Sequence, residues 1–208
     1  MGFYCNHLYA KVTDWVGRGA EDLRREFLAG AKGIVLEIGP ATADNLVCYN
    51  PEKVEKVYLV EPHRPFEPYI RANQAKTSIQ SEWFPCGAEQ IPLPDDSIDT
   101  VVSLATLCTI RDVPAALHEL ARVLKPTGQF IFYEHGLAPT AFLRFLQHLE
   151  NPLHRFIFGG CNLTRNTPPV IEAAGFEINE MESDYMPFKW WMPKHWLWSW
   201  VGVAGLKN

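Results

Sequence analysis

The 208-residue chain has only five cysteines, Cys5, Cys48, Cys86, Cys108 and Cys161, and no C-x-x-C pair among them. An odd number, widely spaced, argues against a disulfide framework and offers no zinc-ligand spacing, so no metal is expected and a reducing compartment is. No run approaches the roughly 20 apolar residues of a membrane span. The first residues, Met1-Gly2-Phe3-Tyr4-Cys5-Asn6, lack a basic region followed by an apolar stretch, and Asn6 stands where a myristoylation signal wants Ser or Thr. A cytoplasmic protein is expected, and the Asn162-Leu163-Thr164 tripeptide carries no weight without secretion. A net charge of -5 leaves no basic excess to draw nucleic acid. What is present is ordinary for a globular protein: 47% hydrophobic and 21% charged residues, in a chain long enough to bury one sizeable core unaided. One domain with a small-molecule partner is expected, without repeats, linkers or low-complexity segments.

Residues 19–31 place Leu23, Phe27 and Leu28 on one face, the period of a helix. Ile34-Val35-Leu36-Glu37-Ile38-Gly39 then reads as a buried parallel strand, and Val57-Tyr58-Leu59-Val60-Glu61 as a second. A helix over 65–76 leads to a third strand at 81–87, and a turn rich in Pro and Asp precedes a fourth, Ile98–Leu104. Asp112 can cap a helix whose apolar positions Val113, Ala116, Leu117, Leu120 and Leu124 recur at three and four, ending at Lys125-Pro126-Thr127-Gly128. A fifth strand follows at Gln129–Glu134, then helices over 139–174 interrupted by Gly159-Gly160. Phe176–Ser183 and Trp196–Leu206 have no helix between them and are expected antiparallel at one edge of the sheet. Strand-helix alternation over 33–134 predicts an open α/β sheet, which takes ligands outside the carboxyl ends of its strands.

Strand one runs into Glu37-Ile38-Gly39-Pro40-Ala41-Thr42-Ala43-Asp44-Asn45, a turn where backbone approaches a ligand and a helix begins. Some twenty residues on, Glu61 ends strand two, well placed to accept hydrogen bonds from ribose hydroxyls, as the acid of dinucleotide sites does. With Val60-Glu61-Pro62, Gly87-Ala88-Glu89-Gln90-Ile91-Pro92-Leu93-Pro94-Asp95-Asp96-Ser97-Ile98-Asp99 and Arg122-Val123-Leu124-Lys125-Pro126-Thr127-Gly128, the chain resembles the class I S-adenosylmethionine-dependent methyltransferases from about residue 33 onward. The resemblance implies a Rossmann-like seven-stranded sheet, mostly parallel with an antiparallel edge strand and helices on both faces. It implies a helical cap over 1–32, a cofactor-binding core over 33–134 and a substrate side over 135–208. It implies S-adenosyl-L-methionine as cofactor and S-adenosyl-L-homocysteine as product, with the methionine part over Glu37 and Gly39 and the ribose on Glu61. Adenine would lie beside Ala88 and Glu89, Leu104 would face the sulfonium, and Pro40, Ala41 and Pro62 would complete the binding turns. Tyr133-Glu134-His135 and Gly160-Cys161-Asn162-Leu163-Thr164-Arg165 look like the small methyltransferase-like proteins that methylate thiols and associate with lipid membranes.

The family turn usually reads Gly-x-Gly-x-Gly, whereas Gly39-Pro40-Ala41-Thr42-Ala43 stands here. Each alanine adds a β-carbon where backbone passes close to the cofactor, and a position of positive φ would be strained by ~1 kcal/mol or more. Asp99 reads as a brace of its turn. His135, at the end of strand five, is either a general base or a histidine bonded in the sheet rim. Cys108 and Cys161 read as isolated core cysteines. Five of the seven tryptophans fall between Phe188 and Trp200, and Trp196, Trp198 and Trp200 would share one face of a strand. They serve either packing or an aromatic wall or lipid-surface belt, which would make the protein peripheral to membranes. The leading expectation is methyl transfer to a small hydrophobic acceptor, sulfur ahead of oxygen, nitrogen or carbon. Its rivals are a methyltransferase-fold cyclase or isomerase, and a non-catalytic lipid- or protein-binding member of the fold.

Overall fold

Apolar runs without polar alternation need cover on both faces, and such runs form the middle of this sheet. The computed structural model describes residues 20–186 and 192–207. In it β1 (Gly33–Ile38) pairs in parallel with β2 (Val54–Val60) on one side and β4 (Ile98–Leu104) on the other. β3 (Gln80–Phe84) adds to β2, and β5 (Leu124–His135) adds to β4. Val35 of β1 joins Val57, Leu59, Phe66 and Ile70 in one core layer, while its neighbours Leu36 and Ile38 join Leu117, Leu120 and Phe132 in the other.

The strand order is β3-β2-β1-β4-β5-β7-β6, the Rossmann-like arrangement expected. It puts the reversal of order between β1 and β4, where a crevice opens at the strands' carboxyl ends. The antiparallel pair lies at one end of the sheet as expected. Within it β7 (Trp198–Leu206) is the reversed strand, inserted between β5 and β6 (Phe176–Tyr185), so β6 forms the edge.

Helices lie on both faces, but not in every crossover. α1 (Glu21–Phe27) precedes the sheet, and α2 (Glu67–Gln74) follows a 3-10 turn at Arg64–Phe66. α3 (Val113–Val123) is capped as expected, with Ala115 N donating to Asp112 Oδ1 at 3.1 Å. α4 (Ala141–Ile157) and α5 (Thr167–Ala173) flank Gly159-Gly160. The helix expected after the Gly39 turn is reduced to a 3-10 turn, Asp44–Val47. Ala43 immediately before it has left-handed backbone, φ 59°, and Asn50-Pro51 follows closely, so too little helical backbone remains between them. β3 stops at Phe84 rather than 87 because Pro85 has no N–H to give a ladder. α3 ends one residue earlier than its apolar pattern, since Pro126 pushes the preceding backbone to extended conformations and Leu124 already opens β5.

Asp99 is the brace expected, with Oδ2 accepting from Ile34 N at 2.9 Å and Oδ1 from Lys125 Nζ at 2.6 Å. Trp198 and Trp200 lie on β7 and pack on the core, which bears out the packing role for these two. Trp196 does not share their strand. It ends a 3-10 turn, donates from Nε1 to Glu150 at 2.9 Å and meets His154 edge-on at 4.8 Å between centroids. Trp190 and Trp191 lie outside the described residues.

α4 is tied to the loop after β5 and the turn before β7 by a buried polar side chain, beside the ring contact of His154 with Trp196. Its Phe142, Phe145, Leu149, Leu153 and Phe156 are exposed, whereas Gln147 is fully buried. The Gln147 amide accepts from Ala138 N at 2.8 Å and donates to Gly136 O at 2.8 Å and His195 O at 2.7 Å. Three backbone groups from two loops thus depend on one side chain. Gln147→Leu, although similar in size and more apolar, is expected to lower stability by roughly 2–4 kcal/mol, because each buried group left without a partner costs about 1–3 kcal/mol. Urea unfolding measures this, and a variant as stable as the parent would contradict it.

Candidate active site

A cavity of about 410 Å³ opens at the carboxyl ends of β1, β2 and β4. Of the residues expected to bind the cofactor, Gly39, Pro40, Ala41, Glu61, Pro62, Ala88, Glu89 and Leu104 line it. Glu37 and His135 do not.

The turn leaving β1 reverses the chain by left-handed backbone at three alternate positions, Gly39 (φ 58°), Ala41 (φ 51°) and Ala43 (φ 59°). These are the positions that hold glycine in the family pattern, so the two alanines carry the strain the sequence predicts. Gly39 is doubly constrained, since a β-carbon there would run into the side chain of Thr106. Its N–H donates to Val60 O at 2.8 Å, tying the turn to the end of β2.

Glu61 follows β2 and is buried, yet it faces the cavity. Oε2 accepts from Ala41 N at 3.2 Å, and Oε1 accepts from His63 N and pairs with His63 Nδ1, both at 2.9 Å. A carboxylate has about four acceptor sites, so one remains for a ligand hydroxyl. Trp83 Nε1 donates to the Glu61 carbonyl at 3.0 Å and fixes the backbone beneath. The hydrogen bond its ring donates to Glu61 raises the pKa of His63 above its ordinary value, because the carboxylate favours the charged ring.

Glu37 lies one layer deeper. Its carboxyl accepts from Tyr49 OH at 2.8 Å and from Asn45 Nδ2, and burial pushes its pKa up to about 7. Asn45 lines the cavity, so Glu37 reaches the site through Asn45 and is a positioning residue. His135 points elsewhere: Nε2 is 3.0 Å from Cys161 Sγ, while Nδ1 is buried without a hydrogen-bond partner. Those contacts hold its ring outside the cavity lining. Cys108 and Cys161 are buried, as core cysteines should be, but they are not isolated. Their sulfurs lie 3.6 Å apart although 53 residues separate them.

Several lining residues escaped the sequence reading. Phe27 of α1 stacks on Tyr133 of β5 with centroids 4.4 Å apart, and burial pushes the Tyr133 phenol up to about 12. Thr106 donates from Oγ1 to Ile38 O at 3.1 Å, under the Gly39 turn. Arg24, His63, Ile110, Arg111 and Met186 also line the cavity. His63 and Thr106 were within reach of inspection, each two residues beyond a named position. Phe27 was not, because on a helix face it is indistinguishable from a core residue.

A family model described as a methyltransferase domain matches residues 36–132. The chain is 32% identical to thiol S-methyltransferase TMT1B of Homo sapiens over 199 residues, covering 90% of this chain and 81% of that protein. It is 31% identical to thiol S-methyltransferase TMT1A of Homo sapiens over 160 residues, covering 75% and 65% respectively. In fold it matches the crystal structure of Burkholderia thailandensis 1,6-didemethyltoxoflavin-N1-methyltransferase with bound 1,6-didemethyltoxoflavin and S-adenosylhomocysteine. That match has a TM-score of 0.67 at 13% identity and covers 99% of this chain and 89% of the other.

Ala41→Gly tests the strain in the turn. Left-handed backbone costs an alanine about 1–2 kcal/mol, and the added freedom of glycine in the unfolded chain returns at most about 1 kcal/mol of that. The variant is expected to gain stability in urea, whereas Ala43→Gly gains less because its methyl is fully buried in the core. A destabilised Ala41→Gly would contradict the strain.

Proposed function

Because the chain belongs to the class I S-adenosylmethionine-dependent methyltransferases, we propose that it methylates a small hydrophobic thiol. S-adenosylmethionine is the cofactor, and when bound it supplies a methyl group activated on a sulfonium. The residues present fit a nucleoside. Glu61 retains an acceptor site for a ribose hydroxyl, Ala88 and Glu89 form a wall for the base, and the left-handed Gly39–Ala41 backbone leaves the turn close to the ligand. Leu104, at the end of β4, is the residue assigned to the reacting methyl. Pro40 and Pro62 rigidify the two binding turns.

The choice of sulfur rests on one observation, the shortage of free nitrogen bases: the carboxylates that also line the cavity, Asp44, Glu61 and Glu89, belong to a far weaker class of base than an amine or imidazole. Among the described lining residues there is no lysine, and His63, the one histidine, is already held on Glu61. The buried Tyr133 keeps its proton. An alcohol needs a base to take its proton as it attacks and an ammonium needs one to expose its lone pair, whereas a thiol with a pKa of about 8.5 supplies part of its population as thiolate unaided. Arg24 and Arg111 add positive charge that favours that anion. Leu23, Phe27, Ile110 and Met186 give the cavity an apolar lining suited to a hydrophobic acceptor and able to desolvate the nucleophile. The names of the thiol-methylating relatives support the same reading.

The test is competition between a thiol, an alcohol and an amine on one hydrophobic skeleton, with S-adenosylmethionine as donor and products read by mass spectrometry. The expected result is a thioether formed with equimolar S-adenosylhomocysteine, at a rate that rises with pH as the acceptor thiol ionises. Faster O- or N-methylation, or no S-adenosylhomocysteine at all, would overturn the thiol reading.

A further inference from the structure

The loop after β4, the end of β5 and the connection between α4 and α5 each deliver one soft ligand to the same point. Cys108, His135 and Cys161 have their ligand atoms within 4.8 Å of one another, and among the described residues no other such group of three occurs. We propose that Cys108 Sγ, Cys161 Sγ and His135 Nε2 form a zinc site, separate from the methyl-transfer cavity.

The geometry is close to what the ion needs. Tetrahedral zinc, with Zn–S of about 2.3 Å and Zn–N of about 2.0–2.1 Å, sets its sulfurs ~3.8 Å apart and sulfur from nitrogen ~3.5 Å apart. The corresponding separations are 3.6 Å between the two sulfurs and 3.0 Å between Cys161 Sγ and His135 Nε2. Small side-chain rotations open the group to these values. Binding converts two thiols to thiolates and releases two protons, so Zn²⁺ with two thiolates and a neutral imidazole carries no net charge. That balance suits a buried position, where an uncompensated ion is costly.

His135 is prepared for this role by its orientation. Nε2 already faces the Cys161 sulfur at 3.0 Å, whereas Nδ1 is buried and unpartnered. A metal on Nε2 would give that otherwise poorly satisfied histidine a strong ligand bond. Three protein ligands leave the fourth tetrahedral position for water or another small donor. The same segments contribute Thr106, Thr109, Ile110 and Gly159 to the cavity wall, so the ion would tie that wall together from behind.

The full chain, purified reduced and stripped of metal, is titrated with Co²⁺ and then Zn²⁺. One equivalent of Co²⁺ is expected to give an intense thiolate-to-metal absorption band that Zn²⁺ abolishes, with two thiols withdrawn from reaction with a thiol reagent. Cys108→Ala and Cys161→Ala are each expected to weaken binding by more than about tenfold, the loss seen on removing even an outer support of a metal ligand. Cys86→Ala, which removes a cysteine outside the group, is expected to leave it unchanged. Absence of the charge-transfer band in the parent chain would overturn the site without any variant having to fold. So would an unchanged band in the Cys108→Ala/Cys161→Ala double variant.

Discussion

The carboxylate of Glu61 is the joint on which the cavity depends. It is buried, and a buried carboxylate persists only when hydrogen bonds replace the water it has lost. Those bonds come from both sides of the crevice: Ala41 N from the turn after β1, and the backbone and ring of His63 from the loop after β2. One charge therefore draws two loops to a fixed separation and holds Ala41 in a backbone conformation it would otherwise avoid. Glu61 also lines the cavity, so the group that builds the pocket stands where an entering ligand would meet it.

Two further acids repeat this arrangement at greater depth. Glu37 on β1 accepts from Asn45 and Tyr49, and Glu134 on β5 accepts through Oε1 from Ser103 Oγ, Thr106 N and Leu107 N at 2.6, 3.0 and 3.0 Å. Burial raises the pKa of both. Each acid lies near the carboxyl end of a parallel strand: Glu37 clamps the segment beyond its own strand β1, and Glu134 clamps the loop beyond the neighbouring strand β4. The crevice is thus lined by loops fastened from below, which is the condition for a preorganised binding site on mobile elements.

The parallel core was legible because its signal is local: runs such as Ile34–Ile38 and Val57–Val60 have one plausible use, and a proline or glycine closes each of them. The site turn was legible for the same reason, and even its defect was visible, since alanines at 41 and 43 replace the residue best suited to left-handed backbone. The crossover after β1 was misread because helix formation there is decided by the backbone at Ala43, which no periodicity shows. That His135 lies outside the cavity lining could not be read, because its partners, Cys108 and Cys161, are distant in sequence and meet it only after α4 and α5 have folded back. Cysteines that looked isolated along the chain are neighbours in space, and spacing rules for metal sites do not extend to ligands drawn from three separate segments.

The central claim is that a nucleoside is held between the Gly39 turn and Glu61, and a crystal structure with S-adenosylhomocysteine bound tests it most directly. The expected map shows a ribose hydroxyl within hydrogen-bonding distance of Glu61 Oε2, with the base against Ala88 and Glu89. Ligand density elsewhere, or a ribose turned away from Glu61 with His63 still occupying the carboxylate, would contradict the account.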